Sequence, residues 1–238
     1  MKIGIYGGTF NPIHYGHLRA AEEVLEMLSL DKVLFIPSGK PPFEKPGLEK
    51  ATHRYKMVKS AIKENPRFEI SALEMRTSGK AFTVDTLQKL RKKYRHSELF
   101  FILGIDAFLD LPQWKQPDVL VGLTNFAVIS RPGYEFKHLS SSRYLKDVSH
   151  KALRDLDTGK NYCCPFEISG SRKGYLCSVT GLDISEAMLE HNAVLGGEGN
   201  GAVAIPEIHA TNDSAATIGL ILEYLAKTGK KISELAAS

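Results

Sequence analysis

His14 and His17 stand one helical turn apart in Gly7-Gly-Thr-Phe-Asn-Pro-Ile-His-Tyr-Gly-His17, directly behind a short apolar run over residues 2–6. Imidazoles at that spacing can address one object, and the glycines ahead of them let a ligand come close to the backbone. Leu18, Ala21, Val24, Leu25 and Leu28 recur at helical spacing, so a helix is expected over residues 16–28. Free N–H groups and the positive end of its dipole make the N-terminus of such a helix an anion site. Two donors placed there suit phosphate chemistry, in which charge builds on phosphoryl oxygens.

Other elements must hold that loop in place. Strand-like apolar runs recur at residues 2–6, 33–37, 68–71, 99–103 and 125–129. Helical periodicity lies between them, at 16–28, 52–64 and 84–94, with a short helix over 107–111. The alternation predicts an α/β fold, an open parallel sheet covered by helices on both faces. Ligands in such sheets sit outside the carboxyl ends of the strands, where the loops 7–17, 37–46, 104–114 and 130–133 all fall. No Gly-x-Gly-x-x-Gly follows the first strand, so the dinucleotide-binding fingerprint is absent. Beyond residue 138 a polar stretch, 139–161, precedes one further strand-like run at 175–179. After Ser185 the chain changes character, with a glycine-rich loop at 196–201 and an amphipathic helix over 214–227.

Bulk composition narrows the class. The 238 residues are 43% hydrophobic, enough for a sizeable core, and carry a formal charge of +4. That mild charge lies along Lys-rich helix faces such as Arg91-Lys92-Lys93, which argues for solvated surface and acidic small substrates, not nucleic acid. No run is long enough to span a membrane and no export signal opens the chain, so a cytoplasmic protein is expected. Cys163, Cys164 and Cys177 form no Cys-x-x-Cys pair and are read as reduced thiols, with no metal site among them. Homo-oligomerisation is left open.

The window from Gly7 to His17 resembles the nucleotidylyltransferase superfamily, and its wording is similar to the nicotinate mononucleotide adenylyltransferases of bacteria. Three further segments carry the resemblance as far as about Ser185, and it implies a Rossmann-like parallel sheet. Pro37-Ser-Gly-Lys-Pro-Pro-Phe-Glu-Lys45 stands where that family has a loop for the mononucleotide, making Lys40 and Lys45 candidates. Phe43-Glu44-Lys45 replaces the usual His-Lys there. In Phe82-Thr-Val-Asp-Thr-Leu87, Thr83 is expected to open a helix whose backbone receives the pyridine carboxylate, Phe82 standing for the usual Tyr. Gly104-Ile-Asp-Ala-Phe-Leu-Asp-Leu-Pro-Gln-Trp114 carries the family's Gly-x-Asp and its tryptophan, which stacks on the pyridine ring.

From this resemblance follow the candidate roles. His14 and His17 are catalytic, stabilising charge on the α-phosphoryl group and the departing pyrophosphate. Gly7, Gly8, Thr9, Phe10, Gly104, Asp106 and Arg131 bind ATP, with Asp106 near the ribose. Asn11, Lys40, Lys45, Thr83 and Trp114 bind the mononucleotide. The implied reaction joins ATP and nicotinate mononucleotide into the deamido dinucleotide, releasing pyrophosphate. Mg2+ is expected to travel with ATP, since the sequence offers no carboxylate cage. A different acceptor on the same fold, nicotinamide mononucleotide or phosphopantetheine, is the alternative; so is a nucleotide-binding protein impaired in catalysis.

The last alternative draws on a departure. After Leu182-Asp-Ile-Ser185 the family continues Ser/Thr-x-x-Ile-Arg, whose hydroxyls and arginine hold phosphates, whereas this chain reads Glu186-Ala-Met-Leu-Glu190. Carboxylates facing phosphate would oppose ATP binding. Residues 186–238 are therefore set apart from a nucleotidylyltransferase domain over 1–185. They resemble a fragment of the α-phosphohexomutases without the phosphoserine and metal-binding loops such an enzyme needs, and the glycines at 196–201 are read as no dinucleotide site.

Overall fold

The computed structural model describes residues 1–41, 47–76, 79–168 and 172–179, with the pairs 196–197 and 203–204. Lys45, Glu186, Glu190 and the helix expected over 214–227 lie outside the described residues. The chain divides into two units, Met1–Gly181 and Leu182–Ser238. In the second, Gly196–Gly197 pairs antiparallel with Val203–Ala204, so the start of the glycine-rich stretch is extended strand and not loop.

The first unit is built on a seven-stranded sheet. Its strands are β1 (Lys2–Gly8), β2 (Lys32–Pro37), β3 (Phe68–Ile70), β4 (Glu98–Gly104), β5 (Asn125–Ile129), β6 (Cys163–Ile168) and β7 (Arg172–Cys177). They lie in the order β3-β2-β1-β4-β5-β7-β6. All of these neighbours pair in parallel except β6 and β7, so the parallel sheet expected from the sequence gains an antiparallel edge. Strand order reverses direction at β1 and β4, the topological switch point where ligands of such sheets bind.

Helices α1 (Tyr15–Met27), α2 (Ala51–Ala61), α3 (Thr83–Lys93), α4 (Ile105–Leu109), α5 (Pro117–Val121) and α6 (His150–Asp157) cover both faces. Alternation along the strands sorts the core into two layers. Ile3, Ile5, Leu34, Leu99, Phe101 and Phe126 pack against Val84, Leu87 and Leu90 of α3 and Phe108 of α4. On the other face Tyr6, Val33, Phe35, Phe100 and Ile102 meet Val24 and Leu25 of α1 and Val58 of α2. Because the central strands are buried on both sides, their apolar runs are nearly continuous. The short helix expected over residues 107–111 begins earlier, at Ile105, directly after β4. Among the described residues no helix is long and apolar enough to cross a membrane.

Candidate functional site

The β1–α1 turn leaves the sheet at Gly8, folds the Phe10 side chain into the core at 3% exposure, and enters α1 with His14 at the cap position. Carbonyl His14 accepts from the amides of His17 (3.0 Å) and Leu18 (3.3 Å), closing the first turn. The two imidazoles lie against each other with ring centroids 3.8 Å apart and planes inclined by 37°. Beneath them His17 meets the edge of Phe10 at 5.2 Å and Tyr6 at 6.2 Å, so it is wedged between its neighbour and the apolar layer.

That wedge decides the chemistry of His17. Burial, then the adjoining His14, then Arg131 pull its pKa down to about 3, so it is neutral at physiological pH. The His14 backbone N–H donates to His17 Nδ1 at 3.3 Å. A neutral ring that accepts at Nδ1 carries its proton on Nε2 and donates from there. His17 is thus a fixed neutral donor at the mouth of a helix N-terminus.

Across the switch point, Asp106 and Arg131 follow β4 and β5. Arg131 Nε lies 3.5 Å from Asp106 Oδ2, with both side chains partly exposed. Gly104 leaves room between them: a Cβ there would push against Asp106 Oδ1 and lie 3.2 Å from Arg131 Cδ, so both side chains would have to shift. Tyr6, fully packed below, has its phenol pushed up to about 12 by burial, with Arg131 lowering and Asp106 raising it. His14, His17, Tyr6, Gly104, Asp106 and Arg131 therefore form one cluster over the ends of β1, β4 and β5.

A second cluster adjoins it through Phe101. A Cβ on Gly7 would come 3.7 Å from the Phe101 ring, which also meets Phe126 at 5.9 Å and Trp114 at 6.3 Å, each edge to face. Trp114 is half-buried against the core, not enclosed by it. Next to it Lys115 reaches over the Phe82 ring at 4.6 Å and pairs with Asp85 at 2.9 Å. Thr83 is the first residue of α3, one position inside the cap expected from the sequence; Phe82 holds the cap and gives no side-chain hydrogen bond. The Phe82 carbonyl instead accepts from Asp85 (3.1 Å) and Thr86 (3.2 Å), leaving the Thr83 and Val84 amides at the open helix end.

Two candidates serve the backbone. Asn11 donates from Nδ2 to Gly47 O (3.1 Å) and accepts from Glu49 N–H (3.0 Å), clamping the chain that returns to α2. Lys40 is exposed, and its carbonyl takes the Ala81 N–H at 2.9 Å, joining the β2 exit to the approach of α3. Thr9 lends its carbonyl to the buried Arg54.

Arg54 escaped the sequence reading and organises this region. It is 0% exposed on α2. Its guanidinium donates to the carbonyls of Thr9, Ser38 (2.7 Å), Gly39 (3.2 Å) and Glu49 (3.0 Å). A signal was present, since Arg54, Val58 and Ile62 share one face and a charge in such a stripe must be satisfied from within. Glu74 opens the family-like segment that runs to Leu87, and the sequence assigns it no role. Burial raises its pKa, while Thr86 Oγ1 (2.8 Å) and the Gly39 amide donate to it and Lys89 attracts it. It fastens the β2 exit to α3. Gly39 is obligatory there, because a Cβ would run into the Glu74 carbonyl. Among the described residues no three His, Cys, Asp or Glu side chains converge as a metal cage.

Residues 5–171 match the family model described as cytidylyltransferase-like, and residues 182–238 match the phosphoglucomutase/phosphomannomutase alpha/beta/alpha domain III model. A "Probable nicotinate-nucleotide adenylyltransferase" of Geotalea uraniireducens (strain Rf4) is 47% identical over 134 residues, 56% of this chain and 62% of that protein. A protein of the same name from Desulfitobacterium hafniense is 46% identical over 160 residues, 65% of this chain and 77% of that one. The chain thus spans less than two thirds of the Geotalea relative's length. A solved Plasmodium falciparum nicotinic acid mononucleotide adenylyltransferase complexed with NaAD is similar with a TM-score of 0.54 at 18% identity, over 76% of each chain, a likeness of fold.

Proposed function

Since this chain belongs to the cytidylyltransferase-like family, we propose that it transfers the adenylyl group of ATP to nicotinate mononucleotide, yielding deamido-NAD and pyrophosphate in NAD biosynthesis. The observation that carries this reading is the neutral, Nε2-protonated His17 stacked on His14 at the α1 N-terminus, beside the switch point of the sheet. A neutral donor with fixed direction stabilises charge that develops on phosphoryl oxygens without having to be desolvated as an ion.

The acceptor phosphate is ionised at neutral pH and needs no base. One of its oxygens attacks the α-phosphorus in line, that O–P bond forms, and the bond to the bridging oxygen breaks as pyrophosphate leaves. His17 Nε2–H and His14 serve the α-phosphoryl and leaving oxygens, with Gly7 and Gly8 allowing close approach. Arg131 turns from Asp106 to the triphosphate, and Asp106 becomes available to the ribose hydroxyls. Trp114 supplies a face for the pyridine ring, and the open α3 amides at Thr83 receive the carboxylate. Magnesium enters as part of the ATP substrate, held by phosphate oxygens and water.

The reading is tested by supplying ATP·Mg2+ with nicotinate mononucleotide, nicotinamide mononucleotide or phosphopantetheine, and following pyrophosphate and product by chromatography. Deamido-NAD from the acid, formed faster than NAD from the amide or any adduct of phosphopantetheine, is the expected result. Preference for the amide would overturn the role of the Thr83 amides, and no pyrophosphate with any acceptor would overturn the reaction itself.

A further inference from the structure

Strands β6 and β7 run antiparallel with Cys163 opposite Cys177, Cys164 opposite Leu176 and Pro165 opposite Tyr175. Pro165 has no amide proton to exchange, so Pro165–Tyr175 is a non-hydrogen-bonded pair. Three positions along, the Ser178 N–H donates to the Tyr162 carbonyl at 2.8 Å, which makes the position beyond Cys163 a hydrogen-bonded one. Alternation then puts Cys163 and Cys177 at a non-hydrogen-bonded pair, where facing Cα atoms lie about 4.5 Å apart and side chains come closest. That separation falls within the range of about 4.4–6.8 Å that disulfides span.

The two thiols also share a face and differ in access. Cys177 is 0% exposed in the layer beneath α1 and α2, and the half-buried Cys163 packs against that layer. Cys164 belongs to the opposite layer. A hydrogen bond joins Cys163 and Cys177; it holds the Cys163 thiol below the ordinary range and, with burial, keeps Cys177 well above it. An accessible attacking sulfur with a buried partner behind it is the arrangement that thiol–disulfide exchange requires.

We propose that Cys163 and Cys177 form a thiol–disulfide exchange site whose substrates are low-molecular-weight disulfides. The Cys163 thiolate attacks one sulfur of the small disulfide, forming a mixed disulfide and expelling one thiolate, which takes up a proton. Cys177 then loses its proton and attacks the Cys163 sulfur, expelling the second thiolate. Two protein thiols and one disulfide become one protein disulfide and two small thiols, and the electron pair leaves with the small molecule. The site also borders the nucleotide cluster: the Cys177 carbonyl accepts the Ser130 N–H at 3.1 Å, and Ser130 Oγ donates to Val179 O at 2.8 Å, next to Arg131.

The test is to incubate the full chain with glutathione disulfide, block remaining thiols with N-ethylmaleimide, digest with trypsin and map the peptides by mass spectrometry. Cleavage after Arg172 and Lys173 separates the two cysteines. The expected product is a Cys163–Cys177 linked pair, two hydrogens lighter than the sum, with Cys164 alkylated throughout and the link reversed by dithiothreitol. Cys177→Ser should stop at one glutathione on Cys163. Recovery of both cysteines as maleimide adducts, a glutathione adduct persisting on Cys163 of the unaltered chain, or a link through Cys164 would each overturn the proposal. Should Cys177→Ser fail to fold, the map of the unaltered chain still decides.

Discussion

If His17 is held neutral by its surroundings, the fold must lose stability in acid by a calculable amount. Its pKa is about 3 in the folded chain and about 6.5 when unfolded. Between those values the unfolded chain binds a proton that the folded chain refuses, so stability falls as pH drops below the unfolded value and the loss is complete only below the folded one. At pH 5 the folded imidazole is almost wholly neutral, and the single site costs about 2 kcal/mol relative to pH 7.5. His17→Asn keeps an acceptor for the His14 amide and removes the titration. Urea unfolding of both proteins at pH 7.5 and pH 5 should show the difference in their stabilities shifting by about 2 kcal/mol in favour of the variant at pH 5. Parallel losses in the two proteins would refute the account, as would an imidazole NMR titration placing His17 near its ordinary value.

Other expectations are as direct. His14→Ala or His17→Ala should lower turnover by about a hundredfold, the scale of one lost preorganised donor, with secondary structure unchanged by circular dichroism; full-rate variants would remove both residues from the chemistry. Trp114→Ala should raise the KM for the mononucleotide and leave that for ATP nearly constant in steady-state kinetics, since in the proposed reaction its ring serves only the pyridine. Arg54→Met removes the charged donor that four carbonyls share and should cost about 3–5 kcal/mol, the sum of several modest hydrogen bonds. By calorimetry that is a fall of about 10 °C in melting temperature for a domain of this size.

Most of the parallel sheet could be read from the chain because β1, β2, β4 and β5 are buried on both faces and so appear as uninterrupted apolar runs. β6 could not, since an edge strand tolerates Pro165 and alternates exposed Glu167 with buried Phe166 and Ile168, which reads as polar chain. α6 was hidden in the same stretch; its eight residues bury Leu153 and Leu156 and depend on Ser149 capping the Ala152 amide. The loops around the crevice were legible from glycine, proline and histidine spacing. Their mutual attachments were not, because the contacts of Arg54 and Asn11 run to backbone atoms, and Glu74 reaches the Thr86 hydroxyl twelve residues on, outside any local pattern. The α3 start differed for a related reason: a threonine advertises a cap, yet the Phe82 backbone closes the turn without one.

Arg54 carries a consequence for anyone re-engineering the acceptor side of this crevice. Its one guanidinium is the common anchor of the β1 exit, the β2 exit and the approach to α2. These three segments are therefore not interchangeable modules. A loop transplanted from another protein after β2 must present two carbonyls at the same places, or it will loosen the turn that aims His14 and His17, although it touches neither. In the proposed reaction, acceptor preference and phosphate geometry are in that sense inherited together, and libraries that vary residues 38–49 should hold Arg54 and the Thr9 backbone fixed while they do so.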